Sequence, residues 1–249
     1  MRTADSNPND PLSMLMAFNL TRQEASVYVG LMTEGEMNGY EAAKSLGISR
    51  SNAYTALAGL VEKGAAWTIE EGATRYTAVP PMEFCSNRLN HLSQIRDRLR
   101  DNLPKRRIKP GSYITIRGRA QILDRLRNLL NDTRKRVYLA LAGPLLRPYL
   151  GELNGILSKG GKVVIITDST TARALRTKKA LPGAVIHEGT VHRNQIRAIV
   201  DSHFVLTGEL TKGTHASCLF SDQKNLADLF KASLRNEIRL IELGASPEE

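Results

Sequence analysis

The sequence contains few cysteines and lacks long hydrophobic runs. Cys85 and Cys218 are the only cysteines among 249 residues. Their wide separation argues against a structural disulfide and matches no zinc-binding pattern. The longest apolar runs, such as residues 163–166, are far too short to span a bilayer, and residues 1–10 lack the apolar core of a signal peptide. We therefore expect a cytoplasmic protein without membrane association, bound metal or cofactor.

Positive charge is in excess, but it is unevenly distributed along the chain. The formal net charge is +10, which indicates an anionic partner. Residues 1–80 carry a net charge of −3, residues 81–140 a net charge of +10 and residues 141–249 a net charge of +3. The net charge is therefore no argument for nucleic-acid binding by the N-terminal segment.

Residues 38–64 have the pattern of two short helices joined by a tight turn. Gly47 is suited to end the first helix, and the hydroxyl of Ser49 is suited to cap the second. Lys63 and Gly64 close the second helix. The apolar positions recur at helical spacing; they are Tyr40, Ala42, Ala43 and Leu46 in the first helix and Ala53, Leu57, Leu60 and Val61 in the second.

The start of the second helix is polar. Its side chains reach phosphates and base edges when such a helix lies in the major groove. We predict DNA contacts by Ser49, Arg50, Ser51, Asn52 and Thr55. An ordinary helical hairpin with a polar surface is the alternative, because helix-turn-helix patterns recur by chance.

The flanking segments favour a winged helix-turn-helix. Thr21 and Glu24 fit a capping box, and the helix that they begin has an apolar face, predicted to comprise Ala25, Tyr28, Val29 and Met32. After the second helix, residues 65–69 and 74–79 are predicted strands separated by a turn. They would form the wing, on which we predict that Arg75 contacts the DNA backbone.

The ordered set of these residues resembles the TrmB family of transcriptional regulators. The matching residues are Leu20, Thr21, Glu24, Ala25, Val27, Tyr28, Gly47, Ile48, Ser49, Arg50, Ala53, Tyr54, Leu57, Leu60, Lys63, Gly64, Arg75, Tyr76, Val79, Pro80 and Pro81. One departure is Gly39-Tyr40, where the family tends to have a small residue before a helix. The resemblance covers most of the chain and implies double-stranded DNA as a partner and a small-molecule effector, for which a sugar is a candidate.

Residues 82–103 form a predicted helix with a narrow apolar stripe. The stripe comprises Cys85, Leu89, Leu92, Ile95, Leu99 and Leu103. Such a stripe is typical of a coiled-coil seam, so we predict a homodimer joined through Leu92, Ile95 and Leu99. The alternative is a helix packed on its own domain. A basic linker follows, with Lys105, Arg106, Arg107 and Lys109, and it is either solvated or contacts an anion.

From residue 112 the sequence alternates between predicted strands and helices. The strands are residues 113–116, 136–142, 163–167, 184–187, 195–200, 204–206 and 216–220, and the helices are residues 120–130, 145–158, 171–175 and 223–236. The segment 238–243 is ambiguous. Continuous apolar strands such as 163–167 predict a sheet that is covered on both faces.

This second half resembles the phospholipase-D-like domain that follows the winged helix in TrmB proteins. Enzymes of that superfamily carry a His-x-Lys-x4-Asp-x6-Gly-Ser motif, in which the histidine attacks phosphorus. Here Asp201 and Gly208 fit, but the histidine, lysine and serine positions hold Asn194, Ile196 and Glu209. We therefore predict no catalytic residues and no enzymatic activity.

The carboxyl ends of strands are where open α/β sheets bind ligands. This rule gives Gly143, Asp168, Ser169, His192 and Arg193 as predicted effector-binding residues. His192 lies just upstream of the motif at the wrong spacing for a nucleophile. An ordinary loop histidine and ordinary strand-end aspartates are the alternatives.

The predicted fold is α+β and multidomain. It comprises a disordered arm at 1–10, a winged helix-turn-helix domain at 11–81, a coiled-coil helix and linker at 82–110, and an α/β phospholipase-D-like effector domain at 111–249. The predicted function is a sequence-specific DNA-binding transcriptional regulator. The alternatives are a phosphodiesterase with a DNA-targeting winged helix and a winged-helix adaptor that binds protein.

Overall fold

The computed structural model describes residues 10–70, 72–104, 111–211 and 215–244. The chain divides into two compact units, Met1–Lys105 and Arg106–Glu249, and each is considered by itself. The predicted arm at 1–10, apart from Asp10, and the basic linker with Lys105, Arg106, Arg107 and Lys109 lie outside the described residues. Over these described ranges, every helix is too short or too polar to cross a membrane.

The first unit is a winged helix-turn-helix followed by a long helix. Its helices are α1 (Pro11–Ala17), α2 (Arg22–Glu34), α3 (Gly39–Leu46), α4 (Arg50–Glu62) and α5 (Pro81–Asn102). The strands β1 (Ala66–Ile69) and β2 (Arg75–Ala78) pair antiparallel, with Ala66 opposite Ala78. The predicted wing and the predicted pair of helices are therefore confirmed.

The helix ends in this unit follow the local sequence. The side chain of Thr21 accepts a hydrogen bond from the Glu24 backbone, and the Glu24 carboxylate accepts one from the Thr21 backbone. Asn38 and Glu41 form a second reciprocal capping box that begins α3. Gly47 ends α3 with a φ of 64°, a left-handed conformation that glycine adopts without steric cost.

The buried faces of α2 and α3 differ from the predicted ones at three positions. In α2 the core residues include Ala25, Tyr28 and Leu31, whereas Val29 is only partly buried and Met32 is 47% exposed. In α3, Tyr40 is 49% exposed rather than part of the apolar face. For α2 the reason is that this helix packs against α1, α3, α4 and β2 together, so that a different side of it is buried from the one that periodicity predicted.

The second unit is one mixed sheet with helices on both faces. Its strands are β3 (Tyr113–Arg117), β4 (Arg136–Leu141), β5 (Lys162–Thr167), β6 (Val185–Glu188), β7 (Gln195–Val200), β8 (Phe204–Glu209) and β9 (Ser217–Ser221). Its helices are α6 (Arg119–Asn131), α7 (Gly143–Leu146), α8 (Leu150–Ser158), α9 (Ser169–Thr177) and α10 (Lys224–Glu242).

The strand order is β3-β9-β8-β7-β4-β5-β6, with β4, β5 and β6 parallel and the other neighbours antiparallel. Residues of α6 and α8, such as Leu126 and Leu153, join the larger core on one face. Leu234 of α10 joins a smaller core on the other face, with Ala140 and Ile166. The prediction of an α/β domain with both sheet faces covered is confirmed.

Three predicted helices of this unit have different bounds in the structure. The predicted helix 145–158 is broken into α7, a 3-10 turn at Arg147–Tyr149 and α8. The break contains Pro148, which lacks the N–H that a continuous helix requires. Helix α9 is longer than predicted because Asp168 caps it, and α10 continues through the segment that was ambiguous.

Candidate functional site

Helix α4 is held by one apolar side and exposes a polar side. Ala53, Leu57 and Leu60 are fully buried. The Asn52 backbone N–H donates a hydrogen bond to Ser49 Oγ at 3.2 Å. Ser49 therefore caps the helix, as predicted. The predicted DNA-contacting side chains of this helix are all exposed; they are Arg50, Ser51, Asn52 and Thr55. This is the presentation that a recognition helix needs.

Two tyrosines that were not among the predicted DNA-contacting residues lie beside this polar side. The guanidinium carbon of Arg50 is 4.6 Å from the ring centroid of Tyr40. Tyr54 is 50% exposed and packs against Gly39, where an added Cβ would lie 2.3 Å from the Tyr54 ring. Arg50 and Tyr54 are four residues apart on a helix, and this spacing indicates that their side chains share one face of it.

The hydroxyl groups of the helix are partly used within it. Ser49 Oγ accepts the capping bond, and Thr55 Oγ1 donates to the Ser51 carbonyl at 2.9 Å. The Asn52 amide makes no side-chain hydrogen bond within the described parts of the chain. Arg50 and Asn52 therefore carry the donor groups that are best placed for an external acceptor.

Arg75 is bound to its own domain. Its guanidinium forms an ion pair with Glu41 at 3.0 Å and donates to the Glu36 carbonyl at 2.6 Å. Hydrogen bonds from the Asn38 backbone and then from Arg75 hold the pKa of Glu41 below its usual value. These contacts brace β2 against α3, and the predicted contact of Arg75 with DNA stays a prediction.

A partly buried ion pair joins α2 to the end of α4. Lys63 Nζ lies 2.6 Å from Glu24 Oε2. Burial raises the pKa of Glu24, but the hydrogen bonds from Lys63 and Thr21 outweigh burial, so this pKa lies below its usual value. Gly59 leaves room for the carboxylate, because a Cβ at this position would lie 2.2 Å from Glu24 Oε1. The orientation of α4 therefore depends on residues far from its polar side.

The predicted effector residues Gly143 and Asp168 are brought together at the carboxyl edge of β4 and β5. Asp168 accepts hydrogen bonds from the backbone N–H groups of Gly143 and Thr171, each at 2.9 Å. Burial raises the pKa of Asp168, but these hydrogen bonds lower it by more. The pKa of this carboxyl group therefore lies below its usual value. Gly143 has no room for a side chain, because a Cβ would lie 2.0 Å from Thr171 Oγ1. The carboxylate therefore links the start of α7 to the start of α9.

The other predicted effector residues are exposed. His192 and Arg193 lie in the loop between β6 and β7, and the His192 carbonyl accepts the Gln195 N–H. Ser169 lines a surface depression on α9 together with Arg173 and Lys178. Because no described contact joins these residues to Asp168, their binding of an effector stays a prediction.

Residues at the positions of the degenerate phospholipase-D motif have structural roles. Ile196, at the lysine position, is fully buried and pairs across β7 and β8 with Gly208. Asp201 lies at the opposite end of β7 from Asn194 and accepts backbone N–H bonds from Arg134, Lys135 and Arg136 at 2.7–2.9 Å. Burial raises the pKa of Asp201, but these bonds outweigh it and the pKa lies below its usual value.

Helix α5 is anchored at its start and unpartnered beyond it. Phe84 is buried in the core of the first unit, and Cys85 packs against that core. Farther along, Leu92 is 45% exposed and Leu99 is 48% exposed. Within the described residues of this unit, the apolar seam predicted from the sequence has no covering element.

Comparison with known proteins assigns the first unit to a family. The family model described as "Sugar-specific transcriptional regulator TrmB" matches residues 15–82. This match covers the winged helix-turn-helix and the first residues of α5, and it confirms the resemblance inferred from the sequence over these residues. Residues 15–82 therefore have the sequence of a TrmB-family domain, and the description of that family is one of transcriptional regulators.

One curated relative aligns with part of the chain. The uncharacterized protein YrhO of Bacillus subtilis (strain 168) is 26% identical over 159 residues, an alignment that covers 62% of this chain and 58% of YrhO. The chain therefore matches less than two thirds of the length of this curated relative.

Solved structures show weak similarity to the chain. TrmBL2, described as an archaeal chromatin protein with a novel mode of DNA binding, is 16% identical, with 91% of this chain and 96% of that chain covered and a TM-score of 0.43. NucT from Helicobacter pylori is 17% identical, with 52% and 96% covered and a TM-score of 0.43. Nuc from Salmonella typhimurium, a phospholipase D family member, is 14% identical, with 52% and 95% covered and a TM-score of 0.39. At these values the similarities assign no activity to this chain.

Proposed function

We propose that the protein is a sequence-specific DNA-binding transcriptional regulator whose second unit senses a small-molecule effector. The observation that carries the proposal is the polar side of α4, where exposed Arg50 and Asn52 lie on a helix fixed by buried Ala53, Leu57 and Leu60. The Gly47 turn, the Ser49 cap and the wing complete the arrangement of a winged helix-turn-helix around this side. The family description supports a sugar as a candidate effector.

Selection of bound fragments from genomic DNA tests the DNA-binding proposal. We expect retained fragments that share a sequence motif, since base-edge contacts from α4 discriminate between bases. The control is the same selection with an Arg50→Ala, Asn52→Ala double variant, which should retain fragments without a shared motif. Retention of no fragments by the unaltered protein would contradict the proposal.

We propose that α5 joins two copies of the chain into a homodimer. The exposed leucines Leu92 and Leu99 support it, because a seam of apolar residues at this spacing is stabilised when a second helix covers it. A dimer would also present two recognition helices to two half-sites. Light scattering should give twice the chain mass for the unaltered protein and the chain mass for a Leu92→Asp, Leu99→Asp double variant. A monomeric unaltered protein, or a double variant that remains dimeric, would contradict this interface.

We also propose that the second unit is not a phosphodiesterase. Buried Ile196 stands where the superfamily motif requires lysine, and the Asp201 carboxylate is occupied by three backbone N–H groups. The test is hydrolysis of bis(p-nitrophenyl) phosphate. Turnover by the purified protein that is lost in an Asn194→Ala variant of unchanged stability would contradict the proposal.

A further inference from the structure

The face of the sheet that α10 covers contains a cavity of about 300 Å³. Tyr138 of β4 and the helix residues Leu234 and Ile238 give the cavity an apolar wall. Leu234 is only 4% exposed, so this wall belongs to the smaller core of the unit.

The rim of the cavity is basic. Lys231, Arg235 and Arg239 all line it, and they follow one another at intervals of four residues along α10. Four residues correspond to about one helical turn, or 6 Å, so the three cations form a row on one side of the helix. Like charges at this spacing destabilise a helix. Glu242, at the end of the row, is the only acidic residue among the described residues that line the cavity.

The cations of this row differ from a nearby arginine that has a structural partner. Arg197 of β7 forms a bidentate ion pair with Glu237 of α10. Arg197 Nη1 lies 2.8 Å from Glu237 Oε2, and Arg197 Nη2 lies 3.0 Å from Glu237 Oε1. Lys231 approaches Asp228 only to 3.8 Å. Across the described ranges of the chain, Arg235 and Arg239 form no ion pair. The guanidinium groups of Arg235 and Arg239 are therefore available to an anion from outside the protein.

The combination of an apolar wall and a row of cations selects a chemical class of ligand. Guanidinium groups bind phosphate oxygens through charge-assisted hydrogen bonds, which are often bidentate. The volume lies at the lower end of the range for small-molecule sites. We propose that this cavity binds a small phosphorylated organic molecule and is the effector site of the second unit. This inference rests on the proposed regulatory function.

Titration calorimetry with three probes tests the site: inorganic phosphate, glucose 6-phosphate and glucose. We expect glucose 6-phosphate to bind more tightly than inorganic phosphate, because the ring adds contact with the apolar wall, and we expect no heat from glucose. An Arg235→Gln, Arg239→Gln double variant should lose at least tenfold in affinity for glucose 6-phosphate. An Arg173→Gln, Lys178→Gln double variant is the matched control, because it removes the same charge from the exposed surface of α9.

Three results would overturn the site. They are an absence of binding by both phosphate probes, an equal loss of affinity in the two double variants, and binding of glucose as tight as that of glucose 6-phosphate. The double variant of α10 should unfold in phosphate-free, low-salt buffer at the same temperature as the unaltered protein or above it, since like charges have been removed. A fall of more than about 4 °C would mean that the arginines hold the fold.

A DNA-binding assay separates the site from the proposed function. We expect glucose 6-phosphate to change the affinity of the unaltered protein for its selected DNA fragments and to leave that of the α10 double variant unchanged. Binding of the probe without any change in DNA affinity would overturn the effector role. A protein that binds the probe but retains no DNA would overturn the proposed function and leave the cavity as a phosphate site.

Discussion

The two units use their conspicuous polar residues differently. In the first unit, Arg50 and Asn52 project from α4 and make few contacts that the fold requires. In the second unit, Asp168 and Asp201 accept backbone hydrogen bonds from segments 25 to 67 residues away in sequence. A polar residue at the end of a strand therefore indicates a binding site only where the fold has left its hydrogen-bonding groups unused.

The same distinction applies within the first unit. Arg75 lies on the wing, where DNA contact was predicted, but its guanidinium is engaged by Glu41 and the Glu36 carbonyl. Arg50 lies over the ring of Tyr40, which orients the guanidinium without neutralising its charge. Two arginines that look equivalent in the sequence are thus distinguished by the partners that the fold gives them.

The largest expected effect is a loss of stability on Asp201→Ala. The substitution leaves three backbone N–H groups without their acceptor and places alanine at a φ of 50°. We expect the free energy of unfolding to fall by about 3 kcal/mol, measured by urea denaturation. Asp201→Asn is the matched control, since asparagine tolerates this backbone conformation and keeps one acceptor oxygen. An alanine variant as stable as the unaltered protein would show that the loop does not depend on this carboxylate.

A smaller effect, on binding alone, is expected for the polar side of α4. Arg50→Ala and Asn52→Ala should each weaken binding to a selected DNA fragment by about 1–3 kcal/mol if they contact base edges. Their unfolding free energies should stay close to that of the unaltered protein, because both side chains are exposed. Fluorescence anisotropy measures the affinity, and Arg22→Ala on α2 is the control. If both variants bind as tightly as the control, α4 does not read the DNA.

The smallest expected effect is a pH dependence confined to the second unit. Asp168 and Asp201 have pKa values below the usual 3.8 in the folded protein. Each carboxylate therefore contributes stability that is fully present above the unfolded-state pKa of about 4 and is lost as the pH falls through the folded-state pKa.

Urea denaturation of the unaltered protein and of an Asp168→Asn, Asp201→Asn double variant, at pH values from 6 to 3, measures this contribution. The difference in stability should be constant above about pH 5 and should shrink below about pH 4. Arg50→Ala should show the same pH dependence as the unaltered protein. A difference that does not shrink with acid would mean that the two carboxylates are no more acidic in the folded state than in the unfolded state.

The sequence by itself determined the features that depend on neighbouring residues. The capping box of Thr21 and Glu24, the end of α3 at Gly47, the cap at Ser49 and the antiparallel wing all follow from interactions within a few residues. The strands of the second unit were also predictable, because their continuous apolar runs are typical of a sheet buried on both faces.

Only the tertiary structure decided which side of each helix is buried and which polar groups are free. Met32 fits an apolar periodicity yet is exposed, because several elements pack on α2 at once. Tyr40 also fits such a periodicity, but it is 49% exposed and its ring lies against the guanidinium of Arg50. The hydrogen-bond partners of Arg75, Asp168 and Asp201 come from distant segments of the chain. Their separation along the sequence is too large for a local sequence pattern to predict them. The basic row on α10 is visible in the sequence as a spacing of four, but the apolar cavity beside it exists only after Tyr138 of β4 has been brought under that helix.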